Sequence, residues 1–169
     1  MKPIILTGFM GCGKTTVGKR LAELLNLEFI DTDTLIIKSG SKSIADIFEE
    51  MGEETFRNIE SATLKKLINE TAVVSSGGGI LLKEENRRLI KEAFISIYLE
   101  CNFDIIVNRL ENDNSRPLFD KNNLEEFKNR YLNRLQYYND CDIKISVDGK
   151  SVETICNEII SSLKTSHIG

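Results

Sequence analysis

Apolar positions along this chain follow two different periods. Short β-like runs, several of them continuously apolar as strands covered on both faces must be, fall at Pro3–Thr7, Glu28–Asp31, Ala72–Ser76, Ile95–Leu99 and Ile143–Val147. Between them the apolar residues return every three to four positions. Val17, Leu21, Leu24 and Leu25 give the segment from Lys14 to Asn26 one buried stripe. Ser43 with Asp46, ahead of Ile44, Ile47 and Phe48, forms a capping arrangement; Gly52 ends that helix and allows another from Glu53 to about Asn69. A further helix is expected from about Leu124 to Asp140, with Tyr131, Arg134 and Tyr137 on one face. Strand-like runs alternating with helical segments predict an α/β fold: a three-layer α/β/α domain built on a five-stranded parallel sheet. Residues 112–123 are polar, with Asn112, Asp113, Asn114 and Ser115 in succession, and read as a loop. Neither an internal repeat nor an interdomain linker interrupts the pattern, and 169 residues suit one domain, 1–169.

Composition narrows the setting. With 41% hydrophobic and 28% charged residues and only two prolines, the chain has the make-up of an ordered globular protein. A formal net charge of −4 argues against a nucleic-acid partner, which needs a basic face, and points to a small phosphate ligand. The run Ile4-Ile5-Leu6 after Lys2 is far shorter than a signal-peptide core, and no stretch approaches the roughly 20 apolar residues of a membrane span. The expectation is a cytoplasmic protein without a membrane partner. Cys12, Cys101, Cys141 and Cys156 lack metal-ligand or Cys-x-x-Cys spacing and are expected to be reduced thiols. His167, the one histidine, sits near the C-terminus as a solvated tail residue.

The chemistry is concentrated first in Gly8-Phe9-Met10-Gly11-Cys12-Gly13-Lys14-Thr15, which satisfies the eight-residue P-loop pattern. Glycines let the backbone wind around a phosphate with its N–H groups inward, and the helix that follows adds its positive end. Lys14 supplies a cation to the β- and γ-phosphates of ATP, and Thr15 offers a hydroxyl to Mg2+. Glycine-rich turns also connect strands to helices with no ligand, but here the strand before and the amphipathic helix after stand where phosphate binding needs them. Cys12 reads as a small side chain that fits, ahead of a reactive thiol at a helix start.

A P-loop alone does not separate a kinase from a switch or a motor. Asp31-Thr32-Asp33 ends the second strand, where an open α/β sheet borders its ligand crevice. If the segment is extended, both carboxylates face one way, one toward a magnesium shell and one toward a substrate hydroxyl. The competing reading makes Thr32 or Asp33 a helix N-cap. Arg57 and Glu60, three apart on a helix, read as a salt bridge when taken alone. Gly77-Gly78-Gly79 ends the third strand and leaves backbone open to a small ligand. Arg116-Pro117-Leu118 closes the polar loop, from which an arginine can swing over phosphates.

In this order, Gly8 to Thr16, Asp31-Thr32-Asp33, Ser43-Ile44-Ala45-Asp46-Ile47-Phe48, Phe56-Arg57 with Glu60, Gly77-Gly78-Gly79, Arg116-Pro117-Leu118 and Arg134 with Tyr137 resemble the shikimate kinase family over nearly the whole chain. The resemblance implies a nucleoside-monophosphate-kinase-like fold; a monomer is the default expectation, which no residue pattern decides. The implied reaction is phosphorylation of the 3-hydroxyl of shikimate by ATP, in the route to chorismate and the aromatic amino acids. It implies that Asp33, Arg57, Gly78, Gly79 and Arg134 hold shikimate, with the two arginines on its carboxylate. Gly11, Cys12, Gly13, Lys14, Thr15, Thr16, Arg109 and Arg116 are implied for ATP, Thr15 and Asp31 for Mg2+, and Lys14, Asp33 and Arg116 for catalysis. Residues 32–69 would form the substrate-binding helices and 112–123 the lid, with an adenine contact near Asp148 to Lys150. Cys12 departs from the small non-thiol residue more usual in the family. Paired arginines suit a planar carboxylate, which separates this reading from a gluconate or nucleoside-monophosphate kinase. A guanine-reading switch would need Asn-Lys-x-Asp, which Asp120-Lys121-Asn122-Asn123 does not supply.

Overall fold

The computed structural model describes residues 1–113 and 122–166. Along the chain run β1 (Ile4–Thr7), α1 (Lys14–Leu25), β2 (Glu28–Asp31), α2 (Thr32–Gly40), α3 (Ile44–Lys66) and β3 (Ala72–Ser75). A 3₁₀ turn (Ile80–Leu82) leads into α4 (Glu84–Ala93), β4 (Ile95–Glu100), α5 (Phe103–Glu111), α6 (Leu124–Tyr138), β5 (Ile143–Ser146) and α7 (Val152–Thr165). All five expected strands are present, within a residue of their expected ends, in one parallel sheet of order β2-β3-β1-β4-β5. Every side chain of β1 and β3 is buried, as their unbroken apolar runs require.

The strand order creates the crevice. From β1 the chain passes through α1 to β2 at one edge; from β3 it passes through α4 to β4 on the opposite side of β1. Parallel crossovers are right-handed, so crossovers moving in opposite directions lay α1 and α4 on opposite faces. α1 packs on β1, β2 and β3 and against α7, whereas α4 packs on β4 and the 3₁₀ turn. The loops after β1 and β3 therefore part company at the carboxyl edge, where a doubly wound sheet takes its ligand.

Between β2 and β3 the chain inserts two helices. α2 and α3 pack on each other and carry a small apolar cluster of their own, Ile36, Ile47 and Phe56 flanked by Ile44, Phe48 and Ile59, apart from the main core. Ser43 caps α3 by accepting from the Asp46 N–H at 3.1 Å, as its spacing predicts. Gly52 breaks the helical path inside α3 with φ 83° and ψ 166°, so the expected two helices occur as one element with a kink. The extended reading of Asp31-Thr32-Asp33 is corrected: the strand stops at Asp31, and Asp33 lies in the first turn of α2. The N-cap is Asp31, not Thr32 or Asp33, because its Oδ1 accepts the Thr34 N–H at 2.9 Å. Among the described residues no helix is long and apolar enough to cross a membrane.

Candidate active site

The loop from β1 to α1 is shaped by its glycines. Gly13, the residue before α1, has φ 97°, a left-handed conformation that an L side chain would strain. Lys14, almost wholly buried, folds back along the loop. Its Nζ donates to the carbonyls of Gly8 at 2.7 Å and Phe9 at 3.2 Å, and lies 3.7 Å from Cys12 Sγ. Arg109 reaches across from α5 and donates from Nη1 to the Gly11 carbonyl at 3.0 Å. Cys12 is 2% exposed, so its thiol fills space beneath the loop.

Thr15 donates from Oγ1 to Asp31 Oδ2 at 3.3 Å. Asp31 thus divides its carboxylate between the α2 cap and the threonine hydroxyl, bringing two oxygens to the mouth of the loop. Among the described residues no cluster of three His, Cys, Asp or Glu side chains gathers. A hydroxyl and one carboxylate beside a phosphate cradle suit Mg2+, which keeps waters and phosphate oxygens in most of its coordination positions.

Two cavities flank the loop. One, of about 310 Å³, is lined by Gly11, Thr16, Arg109, Val147, Lys150 and Val152 among others, and extends from the glycines toward the turn after β5. The segment expected near the adenine therefore does reach a cavity, through Lys150, whose Nζ donates to Glu158 at 2.8 Å. The other, of about 700 Å³, lies toward α2 and α3, and Met10 of the loop forms part of its wall. Ile37, Ile44, Phe48 and Phe56 make it apolar on one side, while Asp33, Arg57, Glu60 and Arg134 supply its charge.

Arg57, in the larger cavity, is fixed from behind. Arg57 donates from Nη1 to Glu60 Oε1 at 3.0 Å and from Nη2 to Glu53 Oε1 at 3.5 Å. Its guanidinium lies 5.2 Å from the centre of the Phe56 ring and 5.9 Å from that of Phe48. The Arg57–Glu60 salt bridge expected on spacing is present, and it holds a residue that also lines the cavity. Glu60 is 1% exposed; burial raises its pKa, opposed by the charge and hydrogen bond of Arg57.

Gly77, Gly78 and Gly79 are small for a reason the sequence did not disclose. A Cβ on Gly77 would sit 2.9 Å from Glu60 Oε2 and 3.1 Å from Asp33 Oδ1. On Gly78 it would lie 3.6 Å from Arg134 Nη1, and on Gly79 it would overlap Arg57, 2.5 Å from Cζ. The glycines thus let charged side chains of α2, α3 and α6 close over the end of β3.

Arg134 projects from α6 with its guanidinium 5.6 Å from the centre of the Phe9 ring. Burial lowers its pKa, and contact with Tyr138 opposes that shift. Tyr137, grouped with Arg134 in the sequence, belongs elsewhere: its ring lies under the Arg87 guanidinium at 4.3 Å. Tyr131 donates to the Cys101 carbonyl at 3.0 Å and packs on Phe9. The aromatic residue that does reach the site is Tyr138, four residues after Arg134, a spacing that places both on one helix face. It is 1% exposed and its hydroxyl donates to the Gly78 carbonyl. Arg116 and residues 114–121 of the expected lid lie outside the described residues.

A phosphate loop on the central strand, with a carboxylate and two arginines in a cavity beside it, defines a P-loop kinase acting on a small anionic acceptor. Comparison with known proteins places the chain further. The family model described as shikimate kinase matches residues 10–164, and the chain belongs to that family. It is 42% identical over 159 residues to a shikimate kinase of Bacillus cereus (strain G9842), covering 94% of this chain and 96% of that protein. The crystal structure of shikimate kinase from Aquifex aeolicus superposes with a TM-score of 0.87 at 36% identity, covering 99% of both chains. Shikimate kinase from Acinetobacter baumannii in complex with shikimate superposes with a TM-score of 0.92 at 31% identity, covering 100% of this chain and 96% of that one.

Proposed function

We propose that this kinase transfers the γ-phosphoryl group of ATP to the 3-hydroxyl of shikimate, releasing ADP and shikimate 3-phosphate. The observation that carries this reading is the pair of guanidiniums, Arg57 and Arg134, held in one cavity with Asp33 and sharing the wall formed by the phosphate loop. Arginine forks match a planar carboxylate, and the apolar side formed by Ile44, Phe48 and Phe56 suits a carbocyclic ring. Asp33 then faces a ring hydroxyl.

ATP lies with its base in the smaller cavity beside Arg109 and its phosphates along Gly11, Cys12, Gly13, Lys14, Thr15 and Thr16. Thr15 and Asp31 hold Mg2+, which neutralises charge on the β- and γ-phosphates when bound. Lys14 leaves the carbonyls of Gly8 and Phe9 to meet the same phosphates. In the transfer, the bond from the acceptor oxygen to the γ-phosphorus forms as the bond to the β,γ-bridging oxygen breaks, and the hydroxyl proton passes toward Asp33 or water. The transition state is loose, so the aligned hydroxyl and neutralised charge matter more than a strong base. Asp33 orients the nucleophile, and Gly78 and Gly79 admit the arginines that fix the substrate's other end.

The test is ATP consumption by the purified protein with Mg2+, comparing shikimate with gluconate, nucleoside monophosphates and no acceptor. The expected result is turnover with shikimate alone and a product phosphorylated on its 3-hydroxyl. Turnover with another acceptor and none with shikimate would overturn the substrate.

A further inference from the structure

Tyr138 is buried at the last turn of α6, where it belongs to the main core. Its ring stacks on Tyr98 of β4 with centroids 5.3 Å apart and planes 20° from parallel. Its hydroxyl donates to the Gly78 carbonyl, in the turn that leaves β3. The same phenol contacts Arg134, one helical turn earlier. One side chain therefore joins three parts of the molecule: the central sheet through its ring on Tyr98, and the glycine turn and the arginine on the cavity wall through its hydroxyl.

We propose that Tyr138 is a positioning residue for acceptor binding, its hydroxyl tying the Gly78 carbonyl and Arg134 to one point so that the substrate carboxylate meets a preset guanidinium. The inference rests on the reading of Arg134 as a carboxylate ligand. Gly78 lies close beneath Arg134, since a Cβ there would be 3.6 Å from Nη1, and the Tyr138 hydroxyl touches both. Arginine has many rotamers, and a fixed acceptor for one of its donors lowers the ordering cost that substrate would otherwise meet. Desolvation raises the Tyr138 pKa, so the phenol stays protonated and remains a donor to Gly78 across the neutral range. No proton is transferred and no bond to substrate is made; Tyr138 acts through Arg134 and Gly78.

The experiment compares Tyr138→Phe, Arg134→Gln and the double variant in steady-state kinetics, with shikimate and ATP varied separately and the Tm of each preparation recorded. Phenylalanine keeps the ring stacked on Tyr98 and removes only the hydroxyl. Tyr138→Phe is expected to raise the KM for shikimate about three- to tenfold while the KM for ATP holds, as loss of one hydrogen-bonded tie should. In the Arg134→Gln background the same change is expected to have less than half that effect, because the group it positions is gone. An unchanged shikimate KM, an equal rise in both KM values, or full additivity in the double variant would overturn the inference. If Arg134→Gln itself leaves the shikimate KM unaltered, the assignment of Arg134 fails instead. Should Tyr138→Phe not fold, Tyr98→Phe offers the second arm. It keeps the stack and both Tyr138 bonds, so it must leave the shikimate KM unchanged; a rise as large as that of Arg134→Gln would assign the effect to packing and overturn the proposal.

Discussion

At Gly79 the space a side chain would need is filled by Arg57, whose Cζ and Nη2 lie 2.5 Å from where a Cβ would stand. The backbone there, at φ −101° and ψ 8°, is open to any L residue, so the glycine answers to its neighbour and not to conformation. Gly79→Ala should therefore fold normally, push Arg57 aside and raise the KM for shikimate at least tenfold, with the KM for ATP unchanged; wild-type KM values for both substrates would refute this. Arg57→Ala should produce the same split by removing the cation itself. A charge-assisted hydrogen bond is worth roughly 1.5–3 kcal/mol, which corresponds to about a tenfold to hundredfold loss of shikimate affinity, readable by calorimetric titration. Lys14→Ala differs in kind, since the partner proposed for Lys14 is the charge that develops on the transferred phosphoryl group. It should lower kcat by at least a hundredfold while the shikimate KM moves little, and a single-turnover assay would separate the two cases.

Among the elements, α3 shows how local signals survive into the fold. The Ser43 hydroxyl caps it at the Asp46 N–H, and the cap starts the helix that delivers Phe48, Phe56, Arg57 and Glu60 to the cavity. Ser43→Ala should cost about 1 kcal/mol and lower the Tm by about 2–4 °C, measured by thermal unfolding; an unchanged Tm would mean that water replaces the cap. Such features were legible because they depend on neighbours in sequence: the glycine loop, the cap, the Gly52 break and the apolar strands. What was not legible depends on neighbours in space. Asp31-Thr32-Asp33 reads as well extended as helical until Asp31 is seen accepting from Thr34. Tyr137 and Tyr138 are adjacent and chemically alike, and only the docking of α6 decides that one meets Arg87 and the other Gly78. Gly77, Gly78 and Gly79 announced a close approach, but not that four side chains from three helices would make it.

For the whole molecule, building this cavity carries a cost in stability that pH should expose. Glu60 is sealed at the meeting of α3 and the turn after β3; its Oε1 accepts from Arg57, and its Oε2 has no hydrogen-bond partner among the described residues. Burial raises its pKa above the ordinary 4.5, against the pull of Arg57. The folded protein therefore holds this proton to higher pH than the unfolded chain does. Between 4.5 and the raised value the folded state binds more protons, so Glu60's contribution to stability, complete below 4.5, is lost as pH rises through that window. Glu85 and Glu153 act in the opposite sense: Lys65 and Arg20 lower their pKa values, so their stabilisation is present above 4.5 and lost on acidification. Glu60→Gln keeps an oxygen acceptor for Arg57 and replaces the titrating carboxyl with a neutral amide, so subtracting the variant cancels those surface contributions and leaves the pH dependence of Glu60. Urea unfolding at a series of pH values from about 4 to 7 should show wild type losing stability relative to Glu60→Gln as pH rises above 4.5, with a constant difference below it. A difference that stays flat across the series would mean that Arg57 fully offsets the burial of the carboxylate. The anchor of Arg57 would then carry no net penalty in the fold.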